Sequence, residues 1–469
     1  MSRTTLAVIL GNRDFFPDAL VSEARADLLK LFQELEIDPV MLSAAESKLG
    51  AVETWQNAVR CGELFRQNRG RIEGILVCLP NFGDEKGVAD SIRLSELNVP
   101  ILVQACPDDL DQFGLERRRD AFCGKISVCN NLRQYGLRYS LTQEHTVALL
   151  SESSRRDLAE FIRVCKVVRG LRRARIGAVG ARPNAFNTTR YSEKLLESAG
   201  ISVNTIDLSE VFGNAAQLAD ADPRVRGRVG QIKGYADASK APEDSLLRMA
   251  KFAIVLDDWM ENLGLQATAI QCWSSMQKNF GVNVCTIMSM MSEQMMPSAC
   301  EVDIAGVISM YALQLASGRP SALVDWNNNY GNDPEKCVFF HCGNWAKDFL
   351  PDIRIGTAPI LGTVLGEANT VGALAGRTPA GPVTFARVST DDLTGTIRAY
   401  AGEGRFTDDP LDTFGTKAVV KIPALQQLMR HICKNGFEHH AAMTSAHCAS
   451  ATCEAMENYL GWQVYSHRP

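Results

Sequence analysis

The first third of the chain alternates short apolar runs with amphipathic stretches. The apolar runs predict buried strands and the amphipathic stretches predict helices. The predicted strands are LAVIL (6–10), DPVML (38–42), GILVCL (74–79) and PILVQA (100–105). The predicted helices are Asp18–Glu36, 52–69 and 86–96. This order is typical of a parallel sheet with helices on both faces and with sites in the loops after its strands.

A second alternation of the same kind begins after the helical stretch Ser154–Arg173. Its predicted strands are RIGAVG (175–180), ISVNTIDL (201–208), ATAIQC (267–272), VNVCTIM (282–288) and SALVDW (321–326). Helices are predicted from Arg190, over 243–263 and over 304–317, and the polar residues 219–245 predict a connection. The pattern again indicates an α/β domain.

The last third changes character, because residues 354–422 are rich in Gly, Thr, Pro and Val and show little helical periodicity. PVTFARVS (382–389) and KAVVKI (417–422) predict short antiparallel strands, and helices are expected near 423–435 and 449–460. The predicted fold class is α/β, with two doubly wound α/β domains followed by a C-terminal β-rich, barrel-like domain. The predicted domains are 1–170, 171–350 and 351–469.

Composition narrows the function classes. The 469 residues carry a net charge of −5, and this mild acidity argues against a protein that coats nucleic acid. No run of 18 apolar residues predicts a membrane span, and the N-terminus lacks the apolar core of a signal peptide, so we expect a cytoplasmic protein. Gly177-Ala-Val-Gly180 follows a predicted strand but is not GxGxxG, and the P-loop pattern is missing, so neither NAD nor ATP is indicated.

The 14 cysteines lie mostly in apolar runs, which favours buried, reduced thiols over a disulfide framework. A structural zinc site is the alternative. Cys337 and Cys342 are separated by four residues and lie near His341. Cys448 and Cys453 repeat that spacing beside His447, although neither pair is a CxxC.

Three polar residues have unusual surroundings for their type. Glu301 follows an apolar stretch and precedes a predicted helix, Asp325 ends SALVDW, and His341 ends CVFFH. Each alone could be a helix-start carboxylate, a turn residue or a core histidine. Together they form an oxygen and nitrogen ligand set that suits Mn²⁺ or a similar divalent ion. EHHAAM (438–443) adds a histidine pair, of which only one member can reach a given ion from a strand.

Five motifs, in this order, resemble the L-fucose/L-arabinose isomerase superfamily, most closely its fucose-isomerase-like branch. They are IQCWSSMQ (270–277), MPSACEVDIAGVISMYAL (296–313), VDWNNNYG (324–331), FHCGNW (340–345) and FEHHAAM (437–443). GNRDFFP and LPNFGDE near the N-terminus are similar to that branch as well, so the resemblance covers nearly the whole chain. VDWNNN departs from the arabinose branch, which has a Glu there.

The resemblance implies a metal-dependent aldose–ketose isomerase that works through an ene-diol. Glu301 and Asp325 would bind Mn²⁺, or another divalent ion, and shuttle the proton between C1 and C2. The third ligand would be His440, the second histidine of the EHH motif. His341 would be either a fourth ligand or a substrate contact.

The resemblance also implies substrate contacts and an oligomer. Arg13, in the first loop, would bind a substrate hydroxyl or anionic group, although a solvated loop arginine is the alternative. The other predicted substrate contacts are Asn81, Gln271, Trp273, Asn344 and Trp345. Trp345 could stack on a sugar ring or lie in the core. One subunit's N-terminal domain would complete a neighbour's site, which requires a homo-oligomer, a trimer or hexamer.

Two other function classes stay open at this point. A non-catalytic sugar-binding or regulatory protein would also have two α/β domains, but it would not need two carboxylates and a histidine on one ion. A metal-dependent aldolase or hydrolase could use the same ligands. The sugar itself is not specified by the sequence: a 6-deoxyhexose, a pentose and an anionic C6-modified hexose all remain.

Overall fold

The computed structural model describes residues 3–468. The ends of the first and last predicted domains, at residues 1, 2 and 469, therefore lie outside the described residues. The chain divides after Arg169 into two compact units, and each is described by itself. No helix among residues 3–468 is long and apolar enough to cross a membrane.

The N-terminal unit is built on a parallel sheet. Its strands are β1 (Thr4–Leu10), β2 (Ile37–Val40), β3 (Gly74–Leu79), β4 (Ile101–Ala105) and β5 (Ser140–Leu141). Its helices are α1 (Asp18–Glu34), α2 (Trp55–Gln67), α3 (Glu85–Ser95), α4 (Ala121–Gln134) and α5 (Glu152–Leu171). The strand order β2-β1-β3-β4-β5 confirms the parallel sheet that the alternation predicts.

The two faces of this sheet bury different side chains, because successive residues of a strand point to opposite sides. Ala7 and Ile9 of β1 pack in one apolar cluster with residues of α2, α3 and α4. Leu6 and Val8 pack in another with residues of α1 and α5. Both faces of β1 are therefore buried, which explains why the run LAVIL is continuously apolar instead of alternating apolar and polar residues.

The C-terminal unit has a four-stranded parallel sheet and a large mixed sheet. Its strands are β6 (Arg175–Val179), β7 (Ser202–Ile206), β8 (Ala267–Ile270), β9 (Ser298–Ala299), β10 (Ser321–Asn329), β11 (Lys336–His341), β12 (Arg354–Gly356), β13 (Ala373–Arg377), β14 (Gly381–Asp391), β15 (Thr396–Thr407), β16 (Thr416–Lys421), β17 (His440–Thr444) and β18 (Gln463–His467). Its helices are α6 (Glu193–Ser198), α7 (Leu208–Gln217), α8 (Pro223–Tyr235), α9 (Glu243–Leu263), α10 (Cys285–Glu293), α11 (Ile304–Ser317), α12 (Pro359–Leu365), α13 (Leu425–Lys434) and α14 (Ala449–Glu454). The parallel sheet has the order β7-β6-β8-β9.

The large sheet has the order β12-β13-β16-β11-β10-β17-β14-β15-β18, and β16 also pairs with β15. The pairings β16-β11-β10-β17-β14-β15 thus return to β16. The sheet is mixed: β14 and β15 pair antiparallel over eleven positions, Gly381 to Asp391, whereas β13 with β16 and β15 with β18 pair parallel. Its first strand begins at Ser321, ahead of residue 351, where the predicted β-rich domain begins.

Two sequence predictions for the C-terminal unit are wrong. VNVCTIM (282–288) contains the start of α10 rather than a strand, because the apolar residues continue through MSMMSE and the whole segment is buried. A short apolar run has the same appearance in a buried helix and in a buried strand. The polar connection predicted over 219–245 contains α8, which Asp222 caps by accepting a hydrogen bond from Arg224 N and which Pro223 begins.

Candidate active site

Two strand ends bring the first two site residues together. β8 and β9 run parallel in register, with Ala269 opposite Ala299, so the segments that follow them leave the sheet at the same edge. One of these segments carries Trp273 and the other carries Glu301. The indole Nε1 of Trp273 donates a hydrogen bond of 3.0 Å to Oε1 of Glu301.

Glu301 is only 5% exposed, and its second oxygen, Oε2, has no hydrogen-bond partner among the described residues. A buried carboxylate oxygen without a partner is costly, so it marks a place where a cation or a substrate hydroxyl is expected. Oε2 lies 3.8 Å from Nε2 of His341 and 3.8 Å from Nε2 of His440. Burial, the largest cause, raises the pKa of Glu301, and the two histidines oppose that shift.

The register of the large sheet supplies the remaining ligand candidates. Asp325 on β10 lies directly opposite His440 on β17 and, on its other side, opposite Phe340, the residue before His341. Directly opposed residues of antiparallel strands have neighbouring side chains. Oδ1 of Asp325 is accordingly 3.4 Å from Nε2 of His440. His440 is thus the residue that both carboxylates approach, Glu301 from the parallel sheet and Asp325 from the large sheet.

The two histidines of the pair differ in burial, but both approach Asp325. Ligand atoms of Asp325, His439 and His440 all lie within 4.8 Å of one another, so the expectation that only one histidine reaches a given ion is not confirmed. His440 is 1% exposed and faces the two carboxylates, whereas the side chain of His439 is 41% exposed. Nε2 of His439 lies 3.5 Å from Oδ1 of Asp325 on the open side of the site. Burial, followed by the neighbouring His440, lowers the pKa of His439 to about 4.

A buried charged network orients His440. Nδ1 of His440 lies 2.8 Å from Oδ2 of Asp303, so the ring donates its proton there and keeps the Nε2 lone pair for the site. Asp303 also caps α11 by accepting from Gly306 N and receives two hydrogen bonds from Arg387, at 2.5 and 3.1 Å. Arg387 has no exposed surface and also donates to Glu438.

Asp303 is the carboxylate of this network that contacts both Arg387 and His440. Burial alone would raise the pKa of Asp303, but Arg387 and His440 outweigh it and hold the pKa well below its usual range. A carboxylate that accepts the second ring proton of a metal-binding histidine fixes the ring orientation and raises its basicity. Sequence analysis missed Asp303, Arg387 and Glu438, although Asp303 stands two residues after Glu301 and Arg387 interrupts the apolar run of β14.

His341 presents the opposite hydrogen-bonding pattern. Its Nδ1 accepts a hydrogen bond of 3.0 Å from the backbone N–H of Cys342, so the neutral ring carries its proton on Nε2, the atom that faces Glu301. Burial lowers the pKa of His341, but Cys342, Asp325 and Glu301 raise it to about 10 overall. A second proton would occupy Nδ1 in place of the hydrogen bond from Cys342 N–H, and Nε2 would carry a proton in either state. His341 and His440 therefore meet Glu301 with different chemistry, the first as a donor and the second as an acceptor.

An aromatic wall lines the open side of the site. Phe186 follows β6 and lies edge-on to Trp273, with ring centroids 5.2 Å apart, and edge-on to His439 at 5.6 Å. Gln271, also predicted as a substrate contact, accepts a hydrogen bond of 2.8 Å from Ala181 N and so holds the loop that carries Phe186. Phe186 was not predicted from the sequence, because a single loop phenylalanine carries no motif.

The other predicted substrate contacts have structural partners. Trp345 has no exposed surface and donates from Nε1 to Leu323 O at 2.9 Å, which is the core placement left open by the sequence. Because Trp345 is fully buried, it offers no ring face to a sugar, and we do not include it in the proposed site. Asn344 is 1% exposed and donates to Cys300 Sγ at 3.3 Å, while its Oδ1 has no partner among residues 3–468.

In the N-terminal unit, Arg13 and Asn81 belong to one loop arrangement. Arg13 donates to Gly83 O at 2.9 Å, pairs with Glu85 at 2.6 Å, and lies over the ring of Phe82. Asn81 has no exposed surface, and its Oδ1 accepts from Gly83 N at 3.0 Å. Both residues thus hold the PNFGDE loop, and the guanidinium of Arg13 stays partly exposed.

The zinc pairs considered from cysteine spacing do not form in the described part of the chain. Among residues 3–468, neither Cys337 nor Cys448 nor Cys453 belongs to a group of three converging ligand side chains. The reason is placement: Cys337 lies on β11 with its side chain in the core, apart from the loop that follows His341. Cys342 meets Cys285 and Cys300 instead.

Two protein families match parts of this chain. Residues 7–172 match the family described as fucose/sulfoquinovose isomerase, N-terminal domain, and residues 339–468 match L-fucose isomerase, C-terminal domain. Together the two matches span more than half of the chain. The chain belongs to the fucose-isomerase-like superfamily, which confirms the resemblance seen in the sequence.

Several similar proteins are sulfoquinovose isomerases. That of Alkalicoccus urumqiensis is 25% identical over 62% of this chain and 64% of its own length, and that of Priestia aryabhattai is 28% identical over 45% and 50%. That of Clostridium sp. strain MSTE9 is 27% identical over 69% of this chain and 71% of its own. The chain thus spans less than two thirds of the length of the first two.

Solved structures are far less similar. A periplasmic solute-binding protein of an ABC transporter from Actinobacillus succinogenes, with bound D-allose, is 10% identical over 68% of this chain and 93% of that chain, with a TM-score of 0.18. A likeness of this size carries no argument about the fold.

Proposed function

We propose that this protein is an aldose–ketose isomerase that uses a divalent metal ion, Mn²⁺ or a similar one, and moves a proton between C1 and C2 of a sugar through an ene-diol. The names of its relatives and the two family matches support an isomerase. The observation that carries the proposal is the buried, unpartnered Oε2 of Glu301, which faces the imidazole of His440.

The residues at the site fit a divalent ion. Glu301, Asp325 and His440 would hold it through two carboxylate oxygens and one imidazole nitrogen, a donor set suited to Mn²⁺. Atoms about 2.0–2.2 Å from one ion lie roughly 3–4.4 Å from each other. The 3.8 Å and 3.4 Å separations of the Glu301 and Asp325 oxygens from His440 Nε2 fall in that range. The two carboxylates are farther from each other: ligand atoms of Glu301 converge within 4.8 Å with those of His341 and His440, and those of Asp325 with His439 and His440, so both carboxylates would move toward a shared ion on binding. When bound, the ion would supply the positive charge that stabilises negative charge developing on the sugar oxygens.

Glu301 and Asp325 are the proposed acid–base pair. One carboxylate takes the proton from the carbon next to the carbonyl, and the other passes a proton between the neighbouring oxygens. Trp273 holds Oε1 of Glu301, so that Oε2 alone is free to exchange a proton. Phe186 and Trp273 reduce access of water to that side of the site.

We further propose that His341 contacts substrate rather than metal. Its Nδ1 accepts from Cys342 N–H, which leaves the proton on Nε2 and no lone pair there for an ion. A proton on Nε2, 3.8 Å from Glu301 Oε2, is instead suited to donate to a substrate oxygen that lies between them. In this proposal the ion has three protein ligands, Glu301, Asp325 and His440.

The proposed substrate is a six-carbon sugar modified at C6. The relatives are named for sulfoquinovose, which makes a sugar with an anionic group at C6 the first candidate, and the match to the L-fucose isomerase C-terminal domain makes a 6-deoxyhexose the second.

A product assay tests the function and the substrate together. Chelator-treated protein is loaded with Mn²⁺ and incubated in D₂O with sulfoquinovose, L-fucose and L-arabinose, and NMR records the carbonyl position and the deuterium at C1 or C2. We expect ketose with solvent deuterium from one sugar of the panel, and no product without the metal. Product without deuterium would contradict the ene-diol route, and absence of any isomer with the metal bound would contradict the proposed function.

A further inference from the structure

Three cysteine thiols converge behind the proposed site, and the proposed chemistry uses none of them. The sulfurs of Cys285, Cys300 and Cys342 all lie within 4.8 Å of one another. They come from three separate segments: Cys285 begins α10, Cys300 follows β9 and Cys342 follows β11. Cys285 and Cys300 are 1% and 0% exposed, and all three are free thiols in the structure.

Two polar side chains contact this thiol cluster. Asn344, itself 1% exposed, donates from Nδ2 to Cys300 Sγ at 3.3 Å, and its Oδ1 has no partner among the described residues. Cys342 Sγ lies 3.6 Å from Nδ1 of His341.

We propose that Cys285, Cys300 and Cys342 form a second metal site, for a thiophilic divalent cation such as Zn²⁺ or Cd²⁺. With metal–sulfur bonds of about 2.3 Å, the sulfurs of such a site lie roughly 3.8–4.0 Å apart, so the three sulfurs, all within 4.8 Å of one another, need only a small approach to bind one ion. On binding, each thiol releases its proton to solvent and forms one bond to the ion. A water molecule or Asn344 Oδ1 completes four-fold coordination.

The two sites differ in the ion they select. The Glu301, Asp325 and His440 set offers oxygen and nitrogen donors, which suit Mn²⁺, whereas three thiolates select softer ions. Cys300 and Cys342 are the chain neighbours of Glu301 and His341, so an ion held by the thiols would tie together the two segments that carry those residues. The thiol site does not depend on the proposed isomerase activity, and its test is a binding measurement.

Cobalt provides the spectroscopic test. Co²⁺ is added to chelator-treated, reduced full-length protein, and the sulfur-to-cobalt charge-transfer absorption in the near ultraviolet is recorded with the amount of metal bound. We expect this absorption in the unchanged protein and in Glu301→Gln, because that substitution leaves the three thiols in place and removes the carboxylate that converges with Cys272 and Cys300. It should vanish in Cys285→Ser/Cys342→Ser, with one Co²⁺ fewer per chain. Cys78→Ser/Cys106→Ser, which changes two buried cysteines of the N-terminal unit, is the matched control and should keep both signals.

A second measurement avoids variants that fail to fold. The unchanged protein is alkylated with and without Cd²⁺, and mass spectrometry reports each cysteine. Cd²⁺ should slow labelling of Cys285, Cys300 and Cys342 together and leave Cys123, an exposed cysteine, unaffected. Labelling of the three that does not respond to Cd²⁺, or a cobalt spectrum without the sulfur band, would overturn the proposal. A disulfide that forms among them with hydrogen peroxide while Cd²⁺ shows no binding would also overturn it, in favour of a redox pair.

Discussion

Glu301 adopts a backbone conformation that residues other than glycine rarely take. Its φ is 56°, and that of the next residue, Val302, is 54°. Such positions cost on the order of 1–3 kcal/mol each and persist only where the surroundings enforce them. Here the hydrogen bond from Trp273 holds the Glu301 side chain, and Asp303 begins α11 immediately afterwards. The strained turn aims the carboxylate away from the helix and toward His440.

Removing the acid–base chemistry of the two carboxylates should lower turnover without changing their size. We expect Glu301→Gln and Asp325→Asn each to reduce kcat by about 10²-fold or more, the reach of general acid–base catalysis. Steady-state kinetics measures the effect, and metal content is determined on the same samples. A loss of kcat that disappears once metal occupancy is restored would show that the carboxylate only binds the ion.

Asp303 should matter through His440 rather than through the substrate. In Asp303→Asn the ring of His440 loses its charged partner, so we expect metal affinity to fall by about 10- to 100-fold. The buried guanidinium of Arg387 also loses one of its two carboxylates, which should lower the free energy of unfolding by about 3–5 kcal/mol.

Metal titration and denaturant unfolding separate these two effects. Glu243→Gln, which removes a pair with Lys233 whose side chains are each about half exposed, is the control and should change stability by no more than about 1 kcal/mol. Unchanged metal affinity in Asp303→Asn would mean that packing alone orients His440.

Individual site residues were predictable where a motif and a strand end coincide. Glu301, Asp325 and His440 were named from the sequence, and the structure brings them together around His440 Nε2. Arg387 was not, since an arginine in an apolar run shows its role only when its partner Asp303, 84 positions away, is placed beside it. The same reason hid the thiol cluster, whose members lie on three separate segments.

At the level of elements, the loop after β11 is fixed by one glycine. Gly343 has a φ of 124°, and a Cβ there would lie 2.4 Å from both Leu374 N and Leu374 O on β13. The two backbones are also joined by a hydrogen bond of 3.2 Å from Leu374 N to Gly343 O. This close approach of two backbones holds the end of β11, which carries His341.

Substituting this glycine should therefore disturb both stability and His341. We expect Gly343→Ala to lower the free energy of unfolding by about 1–3 kcal/mol and to reduce kcat. Alanine disfavours the positive φ of this position, and its Cβ would clash with the backbone of Leu374. Gly381→Ala is the matched control, since a Cβ at Gly381 meets nothing within 4 Å. Thermal unfolding and kinetics check the pair, and equal effects of the two substitutions would contradict the argument.

A helix or strand could be predicted from the sequence where its own residues show a clear hydrophobic pattern. Four of the five parallel strands of the N-terminal unit were predicted, and β3 matches GILVCL residue for residue. The two-residue strand β5 and the helix α4 were not predicted. The start of α10 was read as a strand because its burial on all sides removes helical periodicity. α8 was missed because only three of its residues, Val225, Val229 and Ile232, are buried.

At the scale of the whole molecule, the order in which strands pair in a sheet is the feature that the sequence predicts least well. The run CVFFH and the run SALVDW look alike as buried strands, and nothing local says that β10 lies between β11 and β17. That order, with Asp325 opposite His440, is what assembles the site from residues 115 positions apart. The division into domains 1–170, 171–350 and 351–469 stays a prediction, as does the homo-oligomer.

Subunit mixing tests the proposal that neighbouring subunits share a site. A sugar's hydroxyls need more partners than Glu301, Asp325 and His440 supply, so we propose that Arg13 of another subunit supplies part of the rest. Arg13→Ala and Asp325→Asn should each have low activity alone. Mixed after dissociation and reassembly, they should recover about a quarter of the unchanged activity, the fraction of interfaces expected at random from an equal mixture to join two intact halves. The control is an equal mixture of Asp325→Asn with Glu301→Gln, whose lesions lie in one unit of the same chain and should not complement. No recovery despite mixing verified by mass spectrometry, or full activity of a monomer in sedimentation, would refute sharing and leave the metal chemistry standing.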